Sequence, residues 1–261
     1  MKIIVCIKQV PDTTEVKLEP KTGRLIRDGV PSIINPDDKN ALEEALRIKD
    51  ENPDTTVTVV SMGPPQADVA MREALAMGAD EAILISGREF GGSDTWATSY
   101  IIATAIKKIP DYDIIFCGRQ AIDGDTAQVG PQIAEQLNIP QITYVQKLDI
   151  EGDKVIVQRQ LEDGYTVVEA KMPVLLTAIK ELNTPRYMTP KGIFEAYNKT
   201  VQVWGFNDVP VDAEKIGLKG SPTNVNRTFS PEAKGKGIML EGADKETVKT
   251  LIAKLDEKHL L

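Results

Sequence analysis

The sequence predicts an α/β protein: a doubly wound, mostly parallel sheet with an antiparallel hairpin extension and a C-terminal arm. Three observations carry that expectation. Strand-like and helix-like patterns alternate from Lys2 to Val145, the order that builds parallel sheets covered on both faces. The apolar run Ile114-Ile115-Phe116-Cys117 opens into a glycine-bearing loop, Gly118 to Gly130, followed by a helical pattern. After Val145 the rhythm changes to two β-branched runs separated by Asp163-Gly164, a hairpin signal.

The elements follow in order. A strand over about Lys2 to Lys8 leads into a loop and a hairpin-like segment around Pro20 to Arg24. Asn35 then caps a helix with Pro36 in its first turn; Asp37 and Asp38 complement the dipole, and Ala41, Leu42, Ala45, Leu46 and Ile48 form the inward face. Val57 to Ser61 is a β-branched strand, Gly63-Pro64-Pro65 turns, and Ala67, Ala70, Met71, Ala74 and Leu75 make a second amphipathic stripe ended by Gly78. Strands at 82–85 and 114–117 flank a helix over about Asp94 to Lys108. The next helix runs through Val129, Ile133, Ala134 and Leu137, capped by Asp125 or Thr126. Strands Ile142–Val145, Lys154–Gln158, Tyr165–Ala170 and Val174–Leu176 complete the domain, residues 1–182. Residues 183–206 read as a separate loop with a flanking helix and strand. Residues 207–261 read as an arm, because Pro, Gly, Asn and Lys accumulate from Asn207 to Gly237, too polar for a core. A terminal helix carries Val248, Leu251, Ile252 and Leu255 on one stripe. It either docks on another chain or folds back on its own domain.

Composition narrows the function. The chain has 261 residues, 31 basic against 39 acidic, a formal charge of −8, which disfavours nonspecific attraction to nucleic acid or anionic lipid. Apolar runs stop well short of the ~18 residues of a spanning helix, and Met1-Lys2 leads directly into a strand, so a cytoplasmic location is expected. Cys6 and Cys117 each sit in an apolar run, as buried reduced thiols do. His259, the single histidine, is next to the C-terminus, which removes Ser-His-Asp and Cys-His catalysis. No metal site is visible, and if the chain is an enzyme component its chemistry belongs to a cofactor.

The 118–130 loop is the strongest binding signal. Gly118 and Gly124 permit backbone conformations that a Cβ penalises, and free N–H groups at the following helix start face an anion with roughly half a positive charge from the aligned dipoles. The loop matches neither G-x-x-x-x-G-K-[ST] nor G-x-G-x-x-G. In an open parallel sheet the ligand crevice lies beyond the carboxyl ends of the strands. Cys6, Asn35 to Asp38, Met62-Gly63 and Gly118 to Val129 fall at such ends. Gly91 to Ser99 is a second candidate anion site: two glycines precede Ser93, Asp94 and Thr95. The competing reading is a well-capped helix whose Trp96 simply packs. Arg119 is either half of a surface ion pair or a stabiliser of phosphate charge. Asp123 and Asp125 suit loop and cap formation better than acid–base catalysis.

Gly118-Arg119-Gln120-Ala121-Ile122-Asp123-Gly124-Asp125-Thr126-Ala127-Gln128-Val129-Gly130-Pro131 resembles the signature loop of the electron-transfer flavoprotein β subunit, where it wraps the phosphates of an AMP or an FAD. Val5 to Asp12, Asn35-Pro36, Ala74 to Asp80 and Leu182 to Tyr187 agree in order and spacing. The resemblance implies a Rossmann-like, adenine-nucleotide-binding domain. It also implies cofactor contacts from Cys6 and Met62 through backbone, from Asn35, Pro36, Asp37 and Asp38 near ribose and base, and from Gly118 to Val129 on the phosphates. Ser93-Asp94-Thr95-Trp96-Ala97-Thr98-Ser99 is similar to an element of the FAD-binding, electron-bifurcating members, which adds Asp94, Thr95 and Thr98. Leu182, Asn183, Pro185, Arg186 and Tyr187 resemble a partner-recognition loop with Leu182 in the anchoring place, although Thr184 stands where other members often carry Glu. The implied function is that of a β subunit paired with an FAD-bearing α subunit. Its own FAD would accept hydride from NADH, and electrons would leave to ferredoxin or flavodoxin and, through the α-subunit FAD, to an acyl-CoA dehydrogenase-like flavoenzyme. The alternatives are a non-bifurcating carrier subunit holding structural AMP and, from another class, a stand-alone adenine-nucleotide-binding regulatory module.

Overall fold

Alternating apolar residues on each central strand explain the architecture. In the computed structural model, which describes residues 1–12, 31–226 and 235–261, β1 (Lys2–Cys6) sends Ile3 and Val5 to one core and Ile4 to the other. The first core receives α1 (Pro36–Glu51) and α2 (Asp68–Met77). The second receives α3 (Thr95–Ile106) and α4 (Val129–Leu137). A sheet apolar on both faces can only be buried from both sides, so the helices divide between them. The hairpin expected around Pro20 to Arg24 lies outside the described residues.

Among the described residues the main sheet has nine strands. Its parallel part runs from β11 (Val201–Trp204) through β5 (Glu81–Ile85), β4 (Thr56–Met62), β1, β6 (Ile114–Gly118) and β10 (Val174–Ala178) to β7 (Gln141–Glu151). β8 (Lys154–Gln160) and β9 (Tyr165–Lys171) continue it antiparallel, turned by the Asp163-Gly164 region, where Leu161 N–H bonds the Gly164 carbonyl. A small antiparallel pair, β2 (Gln9–Pro11) with β3 (Ser32–Ile34), had no clear sequence signal. β1 is flanked by β4 on one side and β6 on the other. The chain reverses its direction of sheet growth there, which opens the crevice used by ligands in such sheets.

Three features differ from the sequence reading. β11 is not part of a separate segment but the edge strand of the main sheet, in register with β5 from Val201↔Ala82 to Trp204↔Ile85. Residues 207–226, placed in the arm, lie within the compact unit Met1–Asn226. Val209 and Ile216 are buried in the second core there, beside the short helix α6 (Gly217–Gly220). Their few apolar side chains are spaced widely enough to escape a composition argument, yet each fills a place on an existing core. β7 extends past Val145 and changes partners along its length, with Tyr144 at a left-handed φ of 59°. An extra residue is accommodated between Leu176↔Ile142 and Ala178↔Val145, the signature of a bulge.

The second unit is Arg227–Leu261. Its helix between Lys245 and Glu257, α7 in chain order after α5 (Pro190–Asn198) and α6, starts at Asp244, whose carboxylate accepts Thr247 N–H at 2.8 Å. Val248, Leu251 and Ile252 on its apolar stripe are about half exposed. Among the described residues no helix is long and apolar enough to cross a membrane.

Candidate functional site

Cys6, Met62 and Gly118 end three adjacent parallel strands, with Cys6 opposite Val60 on one side and Cys117 on the other. The loop after β6 therefore emerges beside the loops after β1 and β4. Both cysteines are free; a hydrogen bond with Cys6, then burial, push the Cys117 thiol well above its usual range. Cys117 is thus the buried, inert thiol expected from the sequence, whereas Cys6, expected to be buried as well, is only partly so.

The start of α1 binds the loop together. Asp38 is 7% exposed. Its Oδ2 accepts Lys8 N–H at 2.7 Å and its Oδ1 accepts Gly118 N–H at 2.9 Å. Burial raises its pKa to about 7, against the opposing hydrogen bonds from Lys8, Asn35 and Gly118. Gly118 is required by this contact, because a Cβ would fall on Asp38 Oδ1 and 2.6 Å from Asp38 N. Asn35 is fully buried. Its Nδ2 donates to the Gln120 carbonyl at 2.8 Å and its Oδ1 accepts Ile122 N–H at 3.0 Å. Asn35 thus occupies the N-cap position of α1 without capping by its side chain, a correction to the sequence reading. The Asn35 acceptor is instead taken by the loop amide of Ile122.

Further ties fix the middle of the loop. Lys8 Nζ meets Asp123 Oδ1 at 2.6 Å, with the Asp123 side chain only 8% exposed. Asp123 is accordingly a loop former. Gln120 Nε2 donates to Asp125 Oδ1 at 2.8 Å, and the N–H groups of Gly124 and Asp125 bond the Ala121 carbonyl. Contrary to the sequence expectation, neither Asp125 nor Thr126 caps α4. The N-cap is Gln128, which makes no side-chain cap bond. Asp125 and Ala127 instead take positive φ values of 49° and 51°, uncommon for residues with a Cβ. Left-handed Ala127 followed by right-handed Gln128 is the alternation that turns successive N–H groups into one concavity.

Those amides fit a phosphate. The N–H groups of Thr126, Ala127 and Gln128 bond nothing among the described residues, and Val129 and Gly130 open α4, where N–H groups have no intrahelical acceptor. Arg119 contributes one cation. Its Nε lies 3.3 Å from Asp37 Oδ2 but off the hydrogen-bonding direction, buried and without a hydrogen-bond partner among the described residues. Burial raises the Asp37 pKa, with Arg119 opposing. The Arg119 guanidinium also approaches the Tyr144 ring at 5.8 Å, and Arg159 approaches it at 6.0 Å. Sequence reasoning missed Lys8, Tyr144 and Arg159 here; only the register of β7 and β8 brings the last two to this rim.

The second anion candidate is organised differently. Asp94 caps α3 through Ala97 N–H at 3.0 Å and accepts Thr223 N–H at 2.9 Å on its other oxygen. Ser93 Oγ donates to the Phe90 carbonyl and accepts Gly217 N–H; Ser99 Oγ donates to the Trp96 carbonyl. These side chains serve the chain's own packing, so a cofactor contact by the Asp94 carboxylate is not available in this conformation. Trp96 stacks on Tyr100 with centroids 5.8 Å apart. Thr95 Oγ1 reaches the main loop, 3.1 Å from Gln128 Oε1, and Thr98, one turn on, is half-buried.

The 182–187 segment also corrects an expectation. Leu182 is 8% exposed and belongs to the first core, so its side chain is not free to anchor a partner. Asn183 exchanges hydrogen bonds with Asn40 and donates to Glu44 Oε2, and Arg186 forms ion pairs with Glu43 and Asp50. Both shape the loop on α1. What faces outward is Tyr187, 95% exposed, with Met188, Ile193, Phe194 and Tyr197 also exposed nearby in sequence. A depression of about 320 Å³ borders this segment, lined by Lys49, Gly78, Asp80, Arg186, Tyr187 and Gly192. It is distinct from the crevice at the strand ends.

The family described as "Electron transfer flavoprotein domain" matches residues 22–209. The chain is 62% identical to the electron transfer flavoprotein subunit beta of Thermoanaerobacterium thermosaccharolyticum, over all of both chains. It is 58% identical to the caffeyl-CoA reductase-Etf complex subunit CarD of Acetobacterium woodii, again over all of both. It is 53% identical, over all of both chains, to the acryloyl-CoA reductase electron transfer subunit gamma of Anaerotignum propionicum. With a doubly wound sheet, a loop at its switch point whose amides have no partner among the described residues, and these full-length likenesses, the chain belongs to the electron transfer flavoprotein family, among its β subunits.

Proposed function

We propose that this β subunit pairs with an FAD-bearing α subunit and itself holds a second FAD at the 118–129 loop, as the electron-bifurcating members do. The observation that carries the reading is the concavity of amides from Thr126 to Gln128, unpartnered among the described residues, with Arg119 beside it. FAD bound there would supply the redox chemistry, hydride acceptance from NADH and one-electron delivery to ferredoxin or flavodoxin and to the α-subunit FAD. The chain's own residues bind and orient. The amides of residues 126–130 grip the diphosphate, Arg119 offsets its charge, and the backbone at Cys6, Pro36 and Met62 lines the adenosine side.

Two relatives carry a CoA-thioester reductase in their names, which supports an acyl-CoA dehydrogenase-like flavoenzyme as the final acceptor. The exposed apolar side chains of Tyr187, Met188 and Phe194 suit its docking, and the helix α7 suits docking on the α subunit. We place the complex in the cytoplasm. One observation favours the second reading, a carrier subunit with structural AMP: Ser93, Asp94 and Ser99 are turned to internal partners, so less side chain remains to wrap a longer ligand. A stand-alone regulatory module has against it the full-length likeness to proteins named as subunits.

Co-purification with the α subunit followed by ligand extraction separates the readings. Two FAD per heterodimer is expected. One FAD and one AMP overturns the bifurcating reading in favour of the carrier.

A further inference from the structure

We propose that Asp38 is a positioning residue for the nucleotide: its buried carboxylate ties the loop after β1 to the loop after β6 and thereby sets the spacing of the amides that hold the diphosphate. This rests on the nucleotide reading above and assigns a cause to its geometry.

The chemistry of the contact requires an ionised carboxylate. Two backbone N–H groups, Lys8 and Gly118, point at the two oxygens of one side chain. Only a group that accepts on both oxygens satisfies them; an amide offers one acceptor and one donor. The tie bridges residues far apart in sequence, and Gly118 is the last residue of β6, so its position fixes where the loop begins. Asn35, one turn earlier, holds Gln120 and Ile122. From Ile122 onward the loop is carried by Lys8–Asp123, and Lys8 is itself the residue whose amide Asp38 holds. Asp38 is therefore common to both anchors. Being buried with both oxygens taken, it acts through the backbone and not by touching ligand.

The raised pKa of about 7 gives this tie a signature. The titratable and charged groups facing it are Lys8 from the loop after β1, Cys6 at the end of β1, Cys117 on β6, and Asp37 with Arg119 alongside. The only histidine, His259, is in the second unit. Protonating Asp38 removes an acceptor and loosens the loop, so release of ligand speeds up as pH falls through about 7. The fold responds in the opposite sense. Because the folded pKa lies above the unfolded value of 3.8, the folded state binds the extra proton between those values, and the stability of the ligand-free chain rises as pH is lowered from 8 toward 5.

The test uses the full chain loaded with FAD, whose diester diphosphate keeps its charge over this range, unlike the phosphomonoester of AMP, which titrates near pH 6. Release is followed by flavin fluorescence on dilution, and stability by thermal unfolding of the ligand-free chain. For the native protein we expect release about tenfold faster at pH 6 than at pH 8, the scale of one charge-assisted hydrogen bond, with unfolding temperature moving upward over the same interval. D38N should release quickly at both pH values and lose its share of both pH dependences, while Asp37 contributes equally to the two proteins. Slower release from D38N, or from the native chain at pH 6, overturns the proposal, because the carboxylate would then act on the ligand as a repelling charge. Native-like release from D38N also overturns it and leaves the nucleotide reading intact. If D38N does not fold, the native profile decides: acceleration below pH 7 supports the tie, and a flat profile overturns it. A native chain that holds AMP but not FAD overturns the FAD reading alone, and the comparison is then made with AMP at pH 8, where D38N must still release faster. A native chain that holds neither nucleotide overturns both.

Discussion

Two helix starts in this molecule look alike in sequence and differ in structure. Gly118 to Val129 and Gly91 to Ser99 both place glycines and small polar residues ahead of an apolar helix. In the first, polar side chains belonging to another helix, Asn35 and Asp38, hold the loop and leave its amides at 126–128 unpartnered among the described residues. In the second, the loop's own Ser93 and Asp94 hold a later stretch of the chain, at Gly217 and Thr223. A run of small polar residues signals that backbone groups need partners. It does not say whether the partner is a ligand or the same polypeptide; that depends on what the fold brings alongside.

The largest expected way to break the contrast is G118A. The added methyl collides with backbone at Asp37 and Asp38, so the loop must shift bodily; we expect a loss of several kcal/mol in thermal unfolding and no retained nucleotide. N35A comes next. It strands the Ile122 N–H and the Gln120 carbonyl, which should cost about 2–3 kcal/mol and weaken FAD retention by about tenfold or more, measured by equilibrium dialysis. D94A should have the smallest effect and a different kind. It removes a helix cap and the anchor of Thr223, so about 1–2 kcal/mol of stability is lost. FAD retention should stay close to native. Equal loss of FAD in D94A and N35A would erase the distinction between the two helix starts.

Much of the architecture was legible from periodicity. Apolar residues at i, i+3 and i+4 in α1 and α2 and the β-branched runs of β4, β5 and β6 each have a single structural solution when both sheet faces must be covered. Gly78, with φ 133°, ends α2 where the sequence placed it. The edge strand β11 was not placed in the sheet because four residues, Val201 to Trp204, carry too little pattern to reveal a pairing with a strand more than a hundred positions earlier. At the candidate site the loop and its neighbours were legible as residues, but not their division of labour. Asn35 looked like a cap and Leu182 like an anchor. Each belongs elsewhere because burial, which only the assembled fold defines, decides whether a side chain faces inward.

The bulge in β7 has a consequence of its own. Side chains alternate between the two faces of a strand, and besides the extra residue that β7 gives against β8 between Val145 and Lys147, it spends one supernumerary residue against β10 near Tyr144, where its neighbour changes from β10 to β8. A polypeptide shorter by that single residue would present every later position of β7 to the opposite face. Val145, which is fully buried, would exchange sides with its hydrophilic neighbours, and the hairpin could keep its backbone pairing only by turning inside out.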